Sequence, residues 1–282
     1  MISGMRGRRS DNPREALEVK LLYIITGALI ISNITNLTVA SLFGRAFQIS
    51  SDSTRKIESI QAFGLRTVTP QPGDGSTGSP SGGLAASYSF DGDANDTSGN
   101  DNHGSVFGPV LVAGNSGQAY EFDGTDDYIE MPNSSFLNIT GRKITLAAWV
   151  YPYTGGVSVG SRIISKRNDP GGSDVYSLYT FDNKVVFRVR TEAGGLPDLI
   201  SSATFPTNEW LHVAGVYDGT HRWLYLNGIL ASSPMPTSGN LEPSARPLHI
   251  GDRENQGRRF TGVIDDVKIY NLALSQAAVQ DL

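Results

Sequence analysis

The sequence predicts an all-β fold, a two-sheet antiparallel sandwich, preceded by a single N-terminal transmembrane helix. Three observations carry that reading. Segments rich in β-branched and aromatic residues recur from residue 84 to the C-terminus, Asp-Gly and Asn-Gly turn dipeptides separate them, and a charge-free apolar run lies near the start. The 32 glycines and 14 prolines supply the turns such a fold needs and argue against a helical bundle.

Residues 1–20 form a tail expected on the cytoplasmic side. Residues 21–44, LLYIITGALIISNITNLTVASLFG, hold no charge, and a helix needs about 20 mostly apolar residues to cross the hydrocarbon layer. Arg6, Arg8, Arg9, Arg14 and Lys20 precede the run more densely than Arg45, Arg55 and Lys56 follow it. That bias places the N-terminus in the cytoplasm and the large domain in the periplasm or outside the cell. A cleaved signal peptide is the competing reading, with Thr38-Val39-Ala40 as a small-residue site; Asp11, Glu15 and Glu18 in the leader weigh against it. Thr26, Asn33, Asn36 and Ala40 share one helical stripe. Amides facing lipid tails are costly, so the stripe either packs on other transmembrane helices of a complex or belongs to a lone span in lipid whose Asn residues bond locally.

Residues 45–66 extend the helix past the bilayer, with Ser51 or Asp52 able to cap and Ile57, Ile60 and Phe63 at helical spacings. In residues 67–83, TVTPQPGDGSTGSPSGG, Pro70, Pro72 and Pro80 deny helix while the glycines and hydroxyl residues deny a core. This is a linker.

Residues 84–282 read as strands between turns. The strand segments are ITLAAWV (144–150), VYSLYTF (175–181), KVVFRVR (184–190), WLHVAGVY (210–217), RWLYLN (222–227) and VIDDVKIY (263–270). In KVVFRVR, Val185, Phe187 and Val189 share one face and Val186, Arg188 and Arg190 the other. Asp91-Gly92, Asp123-Gly124, Asp182-Asn183, Asp218-Gly219 and Asn227-Gly228 supply the positive φ angles of tight turns. The last segment, from Ser275, is helical with Ser275 as its cap.

The strings YSFDGDANDTSGNDNHGSV (88–106), YEFDGTDDYIEMP (120–132), ITLAAWVYP (144–152), NEWLHVAGVYDGTHRWLYLNGIL (208–230) and LHIGDRENQGRRFTGVIDDVKIYNLALS (248–275) occur in an order that resembles concanavalin A-like, laminin G-like domains of the pentraxin type. The resemblance covers residues 84–282 and none of the first 83. It implies a jelly-roll sandwich of two curved sheets, a fold that hosts lectins, adhesion modules, carbohydrate-binding modules and some glycanases.

Site chemistry divides into several readings. Asp91, Asp93, Asn95, Asp96, Ser98, Asn100, Asp101, Asn102 and His103 cluster on a glycine-bearing loop whose oxygen-rich side chains suit calcium. The resemblance implies Ca2+ held by Asp96, Asn102 and Asp265; the same residues also suit Asx turns that satisfy backbone amides. Trp149 and Trp210 are expected in the packing. Trp223, on the face opposite Leu224, is the better candidate for a sugar-stacking platform. Arg253, Arg258 and Arg259 form a basic loop that either meets a carboxylate or sulfate ligand, Arg258 and Arg259 foremost, or is a solvated rim. Glu121 and Asp123 share a strand face, but Asp123-Gly124 ends the strand before a third acid joins them, so no catalytic residues are assigned.

The net charge of −5 argues against a nucleic-acid partner, and the absence of cysteine excludes disulfides, thiol catalysis and Cys-ligated metals. Two functions remain in front. One is a membrane-anchored extracytoplasmic module that binds glycan or protein through its loops. The other is a non-catalytic accessory subunit of a membrane complex. A pilin-like filament subunit stands third, since no pilin processing site precedes the apolar run.

Overall fold

The computed structural model describes residues 83–153, 160–168, 172–194, 197–254 and 257–282. The membrane helix, its stripe of Thr26, Asn33, Asn36 and Ala40, the helix over 45–66 and most of the linker lie outside these residues. Among the described residues no helix is long and apolar enough to cross a membrane.

Two antiparallel sheets make up the domain, with strands numbered in chain order. The nine-stranded sheet runs β13 (Ile229–Leu230), β12 (His221–Leu226), β11 (Leu211–Tyr217), β6 (Ile144–Pro152), β16 (Thr261–Tyr270), β4 (Gln118–Asp123) and β3 (Val110–Ala113). Two further strands join it from the side, β1 (Leu84–Tyr88) on β16 and β14 (Met235–Pro236) on β12. The seven-stranded sheet runs β10 (Leu199–Ile200), β9 (Lys184–Val189), β8 (Asp174–Phe181), β7 (Ser161–Arg167), β15 (Leu248–Ile250), β5 (Tyr128–Met131) and β2 (Ser105–Phe107).

The six strand segments expected from sequence all form, with ends shifted by one or two residues. Asp182 and Asn183 take φ angles of 48° and 54°, so both central residues of the β8–β9 hairpin are left-handed, the geometry whose twist matches paired strands. Inward side chains interdigitate between the sheets: Phe122, Leu146, Val150, Leu178, Phe187, Leu224 and Ile264 are all inaccessible to solvent. Gly215 allows a close approach of the sheets, since a Cβ there would lie 2.3 Å from the ring of Phe187.

The outer face of the nine-stranded sheet is partly sealed by the chain's own C-terminus. Helix α1 (Gln276–Gln280) starts at Ser275, whose Oγ accepts from the Ala278 amide at 3.2 Å, as a cap does. Val279 and Leu274 then pack on Ala147, Ala214, Val216, Tyr225 and Tyr270. The outer face of the seven-stranded sheet carries charge instead.

Candidate ligand site

The site begins with the alternation of KVVFRVR. Val185, Phe187 and Val189 enter the core, so Val186 and Arg188 must stand on the outer face. Strand register extends that row sideways. Val186 lies opposite Tyr179, and Tyr179 opposite Arg162, so three strands bring the residues together. The Arg162 guanidinium sits 3.9 Å from the centroid of the Tyr179 ring, within cation–π range.

Two carboxylates organise this face. Asp174, wholly buried at the start of β8, accepts from Arg162 Nε at 3.0 Å and Nη2 at 2.6 Å through Oδ2. Its Oδ1 accepts from Arg253 Nε at 2.6 Å, and Arg188 Nη1 stands 3.8 Å from Oδ2. Asp198 takes a two-pronged contact from Arg188, Nε to Oδ1 and Nη2 to Oδ2, both 2.6 Å, and accepts from the Tyr179 hydroxyl at 2.5 Å. Burial is the largest influence on Asp174 and opposes its charge, yet Arg162 and Arg253 outweigh it and hold the carboxyl below its ordinary value. The same balance, struck with Arg188 and the Tyr179 hydroxyl, holds Asp198 down. Burial, followed by the bond to Asp198, pushes the Tyr179 phenol well up, so it stays a donor.

Above this layer opens a cavity of about 300 Å³. Its polar wall is Arg162, Arg188, Arg253, Arg258 and Asp198, and its apolar wall includes Tyr179, Val186, Phe181 and Ile200, the last two over 40% exposed. A second hollow of about 240 Å³ adjoins it through Arg188 and Asp198. Pockets that fix small ligands have this composition, apolar surface with a few placed polar groups, and 300 Å³ lies at the small end of their range.

The residues expected to hold calcium do not form one site. Asp96 Oδ1 accepts from the amides of Ser87 and Ser98, each at 2.9 Å; Oδ2 accepts from the Asn102 amide at 3.0 Å and from Asn102 Nδ2 at 3.1 Å. Four N–H groups thus occupy the acceptor directions of that carboxylate, and Asn102 Oδ1 accepts from Ser134 Oγ. Asp96 and Asn102 fit a clamp on the loop backbone and do not fit a cation site of six to eight oxygens. Asp265 serves another loop. Its Oδ2 accepts from the amides of Asn115 at 2.9 Å and Ser116 at 3.2 Å, while its buried Oδ1 has no hydrogen bond. Burial, first among the influences, raises its pKa. A cluster that sequence reasoning did not assemble, Asp123, Asp126 and Asp127 at the β4–β5 turn, brings carboxylate oxygens within 4.8 Å of one another. Asp127 is buried there, and its Oδ2 accepts from the Asp123 amide at 2.8 Å.

The tryptophans also depart from expectation. Trp223 is half-buried against the α1 cluster, and its Nε1–H donates to Asp218 Oδ2 at 2.8 Å, so it is held in place and is no free platform. Trp149 and Trp210, expected in the packing, are only half-buried on the outer face of the nine-stranded sheet. Trp149 lies 5.3 Å from the His212 ring and Trp210 lies 5.6 Å edge-on to Tyr151. Arg258 lines the cavity; Arg259, with a buried Nε that has no hydrogen bond, does not. Glu121 accepts from the Tyr153 hydroxyl at 2.6 Å and Asp123 Oδ1 from the Thr125 amide.

Sequence reasoning missed Asp174, Asp198, Arg162 and Tyr179. The available signal was the outward Arg188 in KVVFRVR, since a charged position on a strand face calls for a counter-charge on the neighbouring strands.

Known proteins share this architecture. The binding domain of Paraclostridial Mosquitocidal Protein 1 is similar with a TM-score of 0.60 and 18% identity, over 71% of this chain and 51% of that one. Domain 4 of AbnA, a GH43 extracellular arabinanase from Geobacillus stearothermophilus, solved with arabinotriose, has a TM-score of 0.56 and 21% identity, over 71% and 97%. The botulinum neurotoxin serotype D ligand binding domain, in complex with N-acetylneuraminic acid, has a TM-score of 0.56 and 17% identity, over 71% and 50%. At these identities the likeness is one of fold. In sequence, 154 residues are 29% identical to adhesion G-protein coupled receptor V1 of Danio rerio, a match spanning 49% of this chain and 2% of that protein. Residues 123–280 match the Laminin_G_3 family of the concanavalin A-like lectin/glucanases superfamily, and the chain belongs to that family.

Proposed function

We propose that this chain is a non-catalytic glycan-binding module, anchored in a membrane by residues 21–44 and displayed on the extracytoplasmic side by the linker of residues 67–83. The observation that carries the reading is the 300 Å³ cavity on the seven-stranded sheet, with exposed Phe181 and Ile200 beside fixed guanidinium donors. Sugars offer apolar ring faces and hydroxyl edges, and the cavity pairs surfaces for both. Its size suits a saccharide unit better than a protein face, which needs about 800 Å² from each partner. Relatives of the same fold support the choice: one is described with arabinotriose, another with N-acetylneuraminic acid.

The non-catalytic reading draws support from where the acids at this cavity are spent. Glycoside hydrolysis needs a protonated carboxyl facing a second carboxylate across the sugar bond. Asp174 is buried and held ionised by arginines, and Asp198 is engaged on both oxygens. Neither is placed to give up a proton.

The full-length chain in detergent, applied to a glycan array, is expected to retain a defined set of saccharides. Phe181→Ala should abolish that retention without lowering the melting temperature. Silence across the array, or release of reducing ends from a bound polymer, would refute the module. Accurate mass of the chain purified from membranes tests the anchor, because a cleaved leader would remove residues up to about Ala40.

A second reading, an accessory subunit of a membrane complex, draws on the stripe Thr26, Asn33, Asn36 and Ala40. Native electrophoresis after mild extraction separates the two, since a lone binding module migrates as a small species.

A further inference from the structure

The cavity holds more positive charge than its own acids balance. Four guanidiniums, those of Arg162, Arg188, Arg253 and Arg258, meet only two carboxylates among the described residues, Asp198 in the wall and Asp174 beneath. This excess lies in a domain whose residues 84–282 carry 14 Lys and Arg against 22 Asp and Glu. Positive charge has therefore been concentrated against the sign of the domain.

The surplus is also directional. All three guanidinium nitrogens of Arg162 are engaged, by Asp174 and by the Gly160 carbonyl. Arg188 spends Nε and Nη2 on Asp198. Arg253 spends Nε on Asp174 and Nη2 on the Gly172 carbonyl, which leaves Nη1 without a hydrogen bond to the described residues. Arg258 forms neither a side-chain hydrogen bond nor an ion pair with any described residue, yet it lines the cavity beside Gly160. The polar wall thus holds two guanidiniums with N–H groups not spent on the described residues, and paired guanidiniums of this kind grip a carboxylate or sulfate.

We infer that the cavity is selective for saccharides bearing a carboxylate or sulfate group, the anion bound between Arg258 and Arg253 and a sugar ring against Phe181 and Ile200. This rests on the glycan-binding reading and narrows it to one ligand class. Arg258 is the specificity residue, because its charge serves no other partner among the described residues.

The test is calorimetric titration of the full-length chain with three oligosaccharides of equal length: an oligogalacturonate, a sulfated oligogalactan and a neutral oligogalactan. At least one acidic oligosaccharide should bind about tenfold or more tighter than the neutral one, with the advantage shrinking at high salt. The acidic pair tells carboxylate from sulfate. Arg258→Ala should remove most of the advantage and Arg258→Lys restore part of it, with melting temperature as the control for folding. Equal binding of acidic and neutral oligosaccharides, lost in Phe181→Ala, would overturn the charge selectivity and leave the glycan reading standing. Binding of an acidic peptide with no response to any of the three saccharides would overturn both, and so would no binding at all.

Discussion

The two sheets treat their outer faces in opposite ways. On the nine-stranded sheet, small and apolar residues such as Ala147, Ala214 and Val216 lie under Leu274 and Val279, so the chain's own end covers the face. Ring and indole groups line that face: His212 sits against Trp149, and Trp223 gives its single donor to Asp218. On the seven-stranded sheet the corresponding face is built from ions, with Asp174 and Asp198 wrapped by arginines and an open cavity above them. Hydrophobic burial needs no partner outside the fold, whereas a charge layer with an excess of one sign stays incomplete until an anion arrives. The difference separates a face closed by the fold itself from one that the proposed function assigns to recognition.

The largest expected effect breaks the charged face. Asp174→Ala would leave Arg162, 4% exposed, without its carboxylate and Arg253 with one contact fewer. Removing one partner of a buried ion pair costs about 3–5 kcal/mol, since the remaining charge is stranded. Urea denaturation is expected to show that loss with little change in slope. A loss under about 1 kcal/mol would mean that water enters this layer freely.

Next comes a pH effect on the opposite face. Burial, then the charge of Lys268, pushes the His212 imidazole down to about 4 from its ordinary 6.5. In the unfolded chain the ring takes up a proton below pH 6.5, and in the folded domain only near pH 4. The unfolded state thus binds more protons in that window, so stability is full above pH 6.5 and declines as pH falls toward 4. The shift corresponds to about 3 kcal/mol. His212→Gln should flatten the stability profile between those pH values relative to the parent, read by thermal melts across the range. Parallel profiles would show that the histidine is hydrated.

These two contrasts also explain what the sequence revealed. Local periodicity and turn chemistry were legible: the inward and outward sets of KVVFRVR, the Asp182-Asn183 turn and the Ser275 cap all stand in the structure. Each of these depends on residues close in the chain. The ligand site does not. Arg162, Asp174, Arg188, Asp198 and Arg258 come from separate segments, and only strand register puts Arg162 beside Tyr179 and Tyr179 beside Val186. The oxygen-rich loop is ambiguous for a related reason. Carboxylates that face a cation and carboxylates that face amide N–H groups have the same one-letter signature, and Asp96 proved to face four N–H groups. Trp223 was assigned to the correct strand face, but sequence gave no sign that α1 would fold over that face.

A smaller effect sharpens the covered face. Trp223→Phe keeps most of the ring area against the α1 cluster and removes the hydrogen bond to Asp218. The expected cost is about 1 kcal/mol, the net worth of one such bond with a partly solvated partner. A cost of about 3 kcal/mol or more would show that Asp218 depends on the indole to hold its turn, where it also accepts from the Thr220 and His221 amides.

The smallest effect is the most diagnostic. Arg258→Ala deletes a guanidinium that forms no hydrogen bond or ion pair with the described residues, so folding stability should change by less than about 0.5 kcal/mol. Removing it also relieves repulsion in a wall whose four cations face Asp198 and, beneath, Asp174, which moves the expected change toward stabilisation at low salt. Arg253→Ala, only five positions away, loses the 2.6 Å contact to Asp174 and should destabilise the fold. Melting curves of the two variants side by side therefore distinguish an arginine that holds the face together from one held ready for a ligand. Equal destabilisation by both would place Arg258 in the scaffold and erase the asymmetry between the two faces.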